Sequence, residues 1–222
     1  MEASQSFLSD ITFTEKLSES PDSARFLVHI HSTPYFLKVH RGQGPIEPPP
    51  IDREVDTHIC EVRAYQRLRE HGRCDRGVIP KYHGSIENLN LELYKPHLDM
   101  FLNDEYPPKA ILLEYIPDME QLHWKNYTDA KRDNFIKGLA EIHAAGVIHD
   151  DIHPRNMMVV KGDPERAIWI DFDRAQTWDN DNLTGKEKEW LQFESELAAD
   201  QLGMMKADAE EGQTNKTARF YW

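Results

Sequence analysis

"VIHDDIHPRNMMVV", residues 147–160, sets two adjacent aspartates, two histidines, a proline and an asparagine between apolar flanks. Local structure gives no reason for so much polarity there. The apolar ends read as buried elements, so the polar run is a loop held on both sides by a core, a place where a fold can position reactive groups. Immediately upstream, "TDAKRDNFIKGLAEIHAAG" repeats apolar residues at helical spacing: Phe135, Leu139 and Ile142 on one face, with Ile136, Ala140 and His143 beside them. Thr128 is suited to cap its start and Gly146 its end. Downstream, "MMVV" and "RAIWIDF" are short apolar runs bounded by "KGDPE", the pattern of a hairpin.

Further out, the first forty residues alternate as strands: "ITFTEKLSE", "ARFLVHIH" and "PYFLKVH", with turn signals at "SPDS" and "STP". The Gly- and Pro-rich "RGQGPIEPPPID" is a loop. In "VDTHICEVRAYQRLREHG", Ile59, Val62, Tyr65 (or Ala64) and Leu68 recur at helical spacing and Gly72 stops the helix. "VIPKYHGSIEN" and "KAILLEYI" read as two more strands, and the segment between them, residues 88–108, carries no periodic pattern. A linker is expected near residues 116–118, and "EKEWLQFESELAADQLGMMKADAEE" reads as a final helix. The closing "TARFYW" is expected to dock on the second half of the chain.

Composition bounds the function. The 222 residues suffice for one large domain or two lobes sharing a cleft. A net charge of -13 argues against binding along a nucleic-acid backbone, which needs clustered Lys and Arg. No apolar run is long enough to span a bilayer, and "MEASQSFLSD" lacks the basic start and apolar stretch of a signal peptide, so a cytoplasmic location is expected. Cys60 and Cys74 form neither a disulfide framework nor a CxxC zinc pattern and are expected to be reduced thiols.

"HDDIHPRN" resembles the catalytic loop of the protein-kinase-like superfamily, and its HxDxHPxN form is closest to the aminoglycoside phosphotransferase and choline kinase branch. "WIDFDRA" resembles the metal-binding DFG segment and places Asp171 fifteen residues after Asn156, with Asp173 where protein kinases have Gly. The resemblance implies an α+β fold of two lobes: an N-terminal antiparallel sheet with one helix over residues 1–116, interrupted by the 88–108 insertion, then a shortened, mostly helical lobe over 117–222. It implies roles for named residues. Asp151 would accept the acceptor hydroxyl proton; Asn156 and Asp171 would hold magnesium, with Asp173 either a second metal ligand or a cap on the turn after the strand; Asp150 would point elsewhere. Lys38 in "YFLKVH" would hold the α- and β-phosphates of ATP, paired with Glu61 of "CEVRAYQRL". Glu114 and Ile116 of "LLEYIPD" would offer backbone hydrogen bonds to adenine, and His153 would contact phosphate or simply pack. His149 would be a structural support.

Two features depart from the pattern. No glycine stands in "KLSESPDSARF", where protein kinases have GxGxxG, so the amides of Ser18, Ser20 or Ser23 are what remains to meet phosphate. Only about fifty residues follow Asp171, with no APE motif, as in the trimmed RIO and lipopolysaccharide kinases. The reading is therefore an ATP- and Mg²⁺-dependent phosphotransferase acting on a hydroxyl, with a small molecule favoured over a protein. The alternatives are an atypical Ser/Thr protein kinase and a pseudokinase scaffold. An iron site built on His149 and Asp151 is set aside, because it needs a second histidine well downstream and His153 is the last in the chain.

Overall fold

The computed structural model describes residues 10–45, 47–48, 51 and 53–218; residues 1–9 and the aromatic end of the tail, 219–222, lie outside it. The chain divides into two compact units, residues 1–62 with 81–115, and residues 63–80 with 116–222.

The first unit is a five-stranded antiparallel sheet: β1 (Thr12–Glu19), β2 (Ser23–Ile30), β3 (Thr33–His40), β4 (Tyr82–Ile86) and β5 (Lys109–Glu114), in the order β1-β2-β3-β5-β4. Strand alternation puts Ala24, Phe26, Val28 and Ile30 of β2 on one face, where they pack with Leu37, Val39, Ala110 and Leu112. The aperiodic 88–108 segment covers that face. Its 3-10 turns, Leu91–Tyr94 and Asp99–Phe101, deliver Tyr94, Leu98 and Phe101 to the same core. Phe13 packs edge-on against Phe26 at 5.0 Å and stacks on His97 at 5.0 Å. Arg41 lies over Phe101 and pairs with Asp104, fastening the segment to the end of β3. Burial of a Phe or Leu side chain contributes about 2 kcal/mol, so these residues hold an otherwise featureless segment in place.

The β2–β3 hairpin turns on His31 and Ser32, with φ of 49° and 68°. Two-residue turns of this hand match the strand twist but normally use Asn or Gly. Helix α1 (Thr57–Glu70) starts where Asp56 accepts hydrogen bonds from the amides of His58 (3.0 Å) and Ile59 (3.1 Å). Its first residues belong to the first unit and the rest to the second.

The second unit contains α2 (Asp129–His143) and α3 (Gly185–Glu211), with a three-stranded sheet, β6 (Met119–Gln121), β8 (Met157–Val160) and β9 (Asp163–Trp169), in the order β6-β8-β9. A two-stranded sheet pairs β7 (Val147–Ile148) with β10 (Gln176–Thr177). Thr128 caps α2 through its hydroxyl, which accepts from the Lys131 amide at 3.2 Å. Trp169 is fully buried, packs edge-on against Phe135 and donates its indole N–H to the Phe135 carbonyl at 3.1 Å. Gly146 (φ 76°) is required where it sits, because a Cβ there would collide with the Trp178 carbonyl. A capping box of Thr184 and Glu187 starts α3. At its far end the buried Asp208 accepts from the amides of Asn215, Lys216 and Thr217 and from the Thr217 hydroxyl.

The architecture is α+β, as expected. The structure differs from the sequence reading in detail. A strand follows directly on the expected linker, the strand expected from Val78 begins only at Tyr82, and the second half carries two small sheets beside its helices.

Candidate active site

In the first unit, the two-residue period of β3 puts Lys38 and His40 on one face, opposite the α1 row Thr57 and Glu61. Lys38 Nζ meets Glu61 Oε2 at 2.9 Å, with the two side chains only 2% and 1% exposed. Removing one partner would leave an uncompensated buried charge, a loss of about 3–5 kcal/mol. His40 Nε2 reaches the same Glu61 oxygen at 2.9 Å, and its Nδ1 lies 3.2 Å from the Thr57 hydroxyl. Burial, and then the charge of Lys38, push the His40 pKa below its ordinary value.

In the second unit, the 147–160 stretch is a loop between β7 and β8 with a 3-10 turn at Pro154–Asn156. Asp151 is held from two sides. Arg155 Nη2 lies 2.7 and 2.8 Å from its two carboxylate oxygens. Asn156 Nδ2 donates to the Asp151 carbonyl at 2.8 Å and to its Oδ2 at 3.1 Å. Those bonds assign the donor role to Nδ2 and leave Oδ1 as the acceptor end of a buried amide.

The Asp171 segment is tied to that loop by backbone. Ile170 N donates to Asn156 O at 3.1 Å, and the fully buried His149 bonds Ile170 O through Nε2 at 2.9 Å. Phe172 is buried against the His149 and Tyr65 rings at 4.5 and 5.2 Å. Asp171 therefore leaves the end of β9 beside Asn156, and it does so with φ of 68°. Asp150 also has positive φ, 59°. Non-glycine residues at such angles cost about 1–3 kcal/mol each and persist where surrounding structure dictates them.

The dictating group on the loop is a residue the sequence reading missed. Glu194, buried on α3, accepts the His149 amide at 3.0 Å through Oε2 and the Asp150 amide at 2.6 Å through Oε1. His143 Nε2 bonds Glu194 Oε2 at 2.7 Å. The available signal was a glutamate on the helical face that also carries Ala198, Leu202 and Met205. Arg155 and His40 were missed as well; their signals were adjacency to Asn156 and the K-x-H spacing on a strand.

The remaining expected residues are placed as follows. The amide of Glu114 donates to Lys81 O at 2.8 Å and so is not offered to an adenine; Ile116, buried, falls in the second unit. His153 Nε2 is 3.8 Å from Asp151 Oδ1; burial, then the charge of Arg155, lowers its pKa, so the ring is neutral near pH 7. The amides of Ser20 and Ser23 are consumed in the β1–β2 turn, Ser20 N to Ser23 O at 2.8 Å and Ser23 N to Ser20 Oγ at 3.2 Å. They are not phosphate donors in this conformation. Asp173 opens the turn after Phe172 and is half-buried.

The donor set suits a small hard cation: an amide oxygen from Asn156 and a carboxylate from Asp171. Among the described residues no group of three or more His, Cys, Asp or Glu is arranged to hold a metal. Magnesium needs no such cage, since it is commonly held by one or two carboxylates with phosphate oxygens and water. No described helix is long and apolar enough to cross a membrane.

Residues 112–211 match the family model of the lipopolysaccharide kinase (Kdo/WaaP) family, which lies within the protein-kinase-like superfamily. The matched stretch contains Asp151, Asn156, Asp171 and Glu194. No curated protein matches the chain.

Proposed function

We propose a phosphotransferase of the protein-kinase-like superfamily that moves the γ-phosphoryl group of ATP, with Mg²⁺, to a hydroxyl on a small molecule; the match of residues 112–211 to the lipopolysaccharide kinase family supports a kinase. The observation that carries this reading is the buried Lys38–Glu61 pair at 2.9 Å, the arrangement that keeps a strand lysine extended toward nucleotide phosphates. In this reading Asp151 orients the acceptor hydroxyl and takes its proton as the oxygen attacks phosphorus, with nucleoside diphosphate leaving. Asn156 Oδ1 and Asp171, with Asp173 beside them, hold the metal, which neutralises charge on the phosphates when bound. Ile116 and the Glu114 carbonyl serve the adenine, and His153 serves as a neutral phosphate contact. The HxDxHPxN loop, similar to that of small-molecule phosphotransferases, and the absence of an APE motif support a small acceptor over a protein.

A second reading, a pseudokinase scaffold with weak nucleotide affinity, is favoured by one observation: the glycine-free β1–β2 turn uses the Ser20 and Ser23 amides internally. Incubation with γ-labelled ATP and pooled hydroxylated metabolites separates the two. Transfer of label to a small molecule, lost in Asp151→Asn, supports the phosphotransferase; no transfer in wild type supports the scaffold, and label appearing only on protein points to a protein kinase.

A further inference from the structure

We propose that His40 is a positioning residue for Lys38: its neutral imidazole donates Nε2–H to the Glu61 oxygen that also receives Lys38 Nζ, and so fixes the carboxylate from which the lysine is aimed. The inference rests on the assignment of Lys38 to nucleotide phosphate.

The protonation state follows from the partners. A carboxylate oxygen can only accept, so the 2.9 Å contact to Glu61 requires the proton on Nε2. Nδ1 is then an acceptor, and the Thr57 hydroxyl at 3.2 Å can donate to it. The four side chains form a two-by-two lattice: Lys38 and His40 two apart on the strand, Thr57 and Glu61 four apart on the helix. Without His40, Glu61 would lose a fixed donor in a site where Lys38, His40 and Glu61 are each no more than 2% exposed. A carboxylate oxygen held by a second donor leaves less freedom to its lysine.

The same geometry makes the grip sensitive to acid. An imidazolium at His40 would set a second cation on the oxygen already paired with Lys38. Around the ring stand Lys38 on its own strand, and Glu61 and the His58 ring, 5.6 Å away, on α1. Behind His58 stand Glu87 at 3.9 Å and Lys109, which also pairs with Asp56. Burial and the Lys38 charge oppose protonation while the Glu61 contact favours it. The outcome depends on Lys38, so removing that charge must change how His40 titrates.

The test has two arms. NMR of ¹⁵N,¹³C-labelled histidine is expected to show His40 as the Nε2–H tautomer in wild type. In Lys38→Met its pKa is expected to rise by about one unit or more, as an imidazolium takes over Glu61. An unchanged titration in Lys38→Met, or an Nδ1–H tautomer in wild type, overturns the proposal. In the second arm, His40→Leu is expected to weaken nucleotide binding about tenfold without raising the acceptor KM. His40→Gln, which keeps a donor and cannot titrate, is expected to lose less affinity and to remove the acid inflection from the nucleotide KM profile. Wild-type affinity in His40→Leu, or the same inflection in His40→Gln, contradicts it. A wild type that binds no nucleotide overturns the phosphotransfer reading instead, and the NMR arm, which needs none, still decides the coupling.

Discussion

Glu194 holds His149 by its backbone: a carboxylate on α3 accepts the His149 amide at 3.0 Å and, through its other oxygen, the Asp150 amide at 2.6 Å. The loop carrying Asp151 is thus anchored to a helix remote in sequence. Glu194→Gln replaces one accepting oxygen with an amide donor facing backbone N–H, while leaving Lys38, Asn156 and Asp171 untouched. Turnover is expected to fall about a hundredfold, as misplacement of reacting groups does, with nucleotide affinity changed less than threefold. Steady-state kinetics beside a binding isotherm checks the split; equal losses in both would mean that Glu194 supports the whole unit and not the loop alone.

Asp151 has two holders of different standing. Arg155 is half exposed, and an exposed pair contributes about 1 kcal/mol or less. Asn156 is buried and grips both the carbonyl and the carboxylate of Asp151. Arg155→Ala should keep turnover within about fivefold of wild type, and Asn156→Ala should lose a hundredfold or more, since it removes the proposed metal oxygen and an orienting donor together. Initial rates of the two variants at saturating magnesium rank them; the reverse order would refute the assignment.

Asp208 gives a pH dependence with a definite sign. Burial alone would raise its pKa, but the Thr217 hydroxyl and the amides of residues 215–217 outweigh it and hold the carboxyl down to about 2. A folded pKa below the unfolded value of 3.8 means stability fully present above pH 3.8 and lost as pH falls toward 2. Asp208→Asn should lower stability at pH 7 by roughly 2 kcal/mol, from donors left poorly matched in a buried turn. The gap between the two proteins should close as pH falls from 4 to about 2. Urea midpoints measured across that range read it directly.

Much of this was legible in the sequence because hydrophobic period and turn chemistry agreed. The alternation in β2, the Phe135–Leu139–Ile142 face of α2 and the HxDxHPxN-to-IDFD spacing all carry local signals. The 88–108 segment did not, because Leu89, Tyr94, Leu98 and Phe101 follow no single period; the sheet face they cover sets their spacing. Strands β6, β7 and β10 are two or three residues long, too short to show a pattern. Glu194 was hidden for a different reason: a charge on a buried helical face contradicts the hydrophobic rule until its partners, backbone amides 44 and 45 residues away, are known. His40 required a strand period and a helix period to be read against each other.

The proposed phosphotransfer requires that Lys38 and the Asn156–Asp171 pair serve one magnesium nucleotide. Thermal unfolding with ATP, GTP or ADP, with and without Mg²⁺, tests it most directly, on wild type and Asp171→Ala. Ligand at a hundred times its Kd contributes about 2.7 kcal/mol to the folded state, a rise of roughly 5–11 °C for a chain of this size. That rise is expected for wild type with ATP only when Mg²⁺ is present, and its loss is expected in Asp171→Ala. No shift with any nucleotide, or an equal shift in the variant, would contradict it.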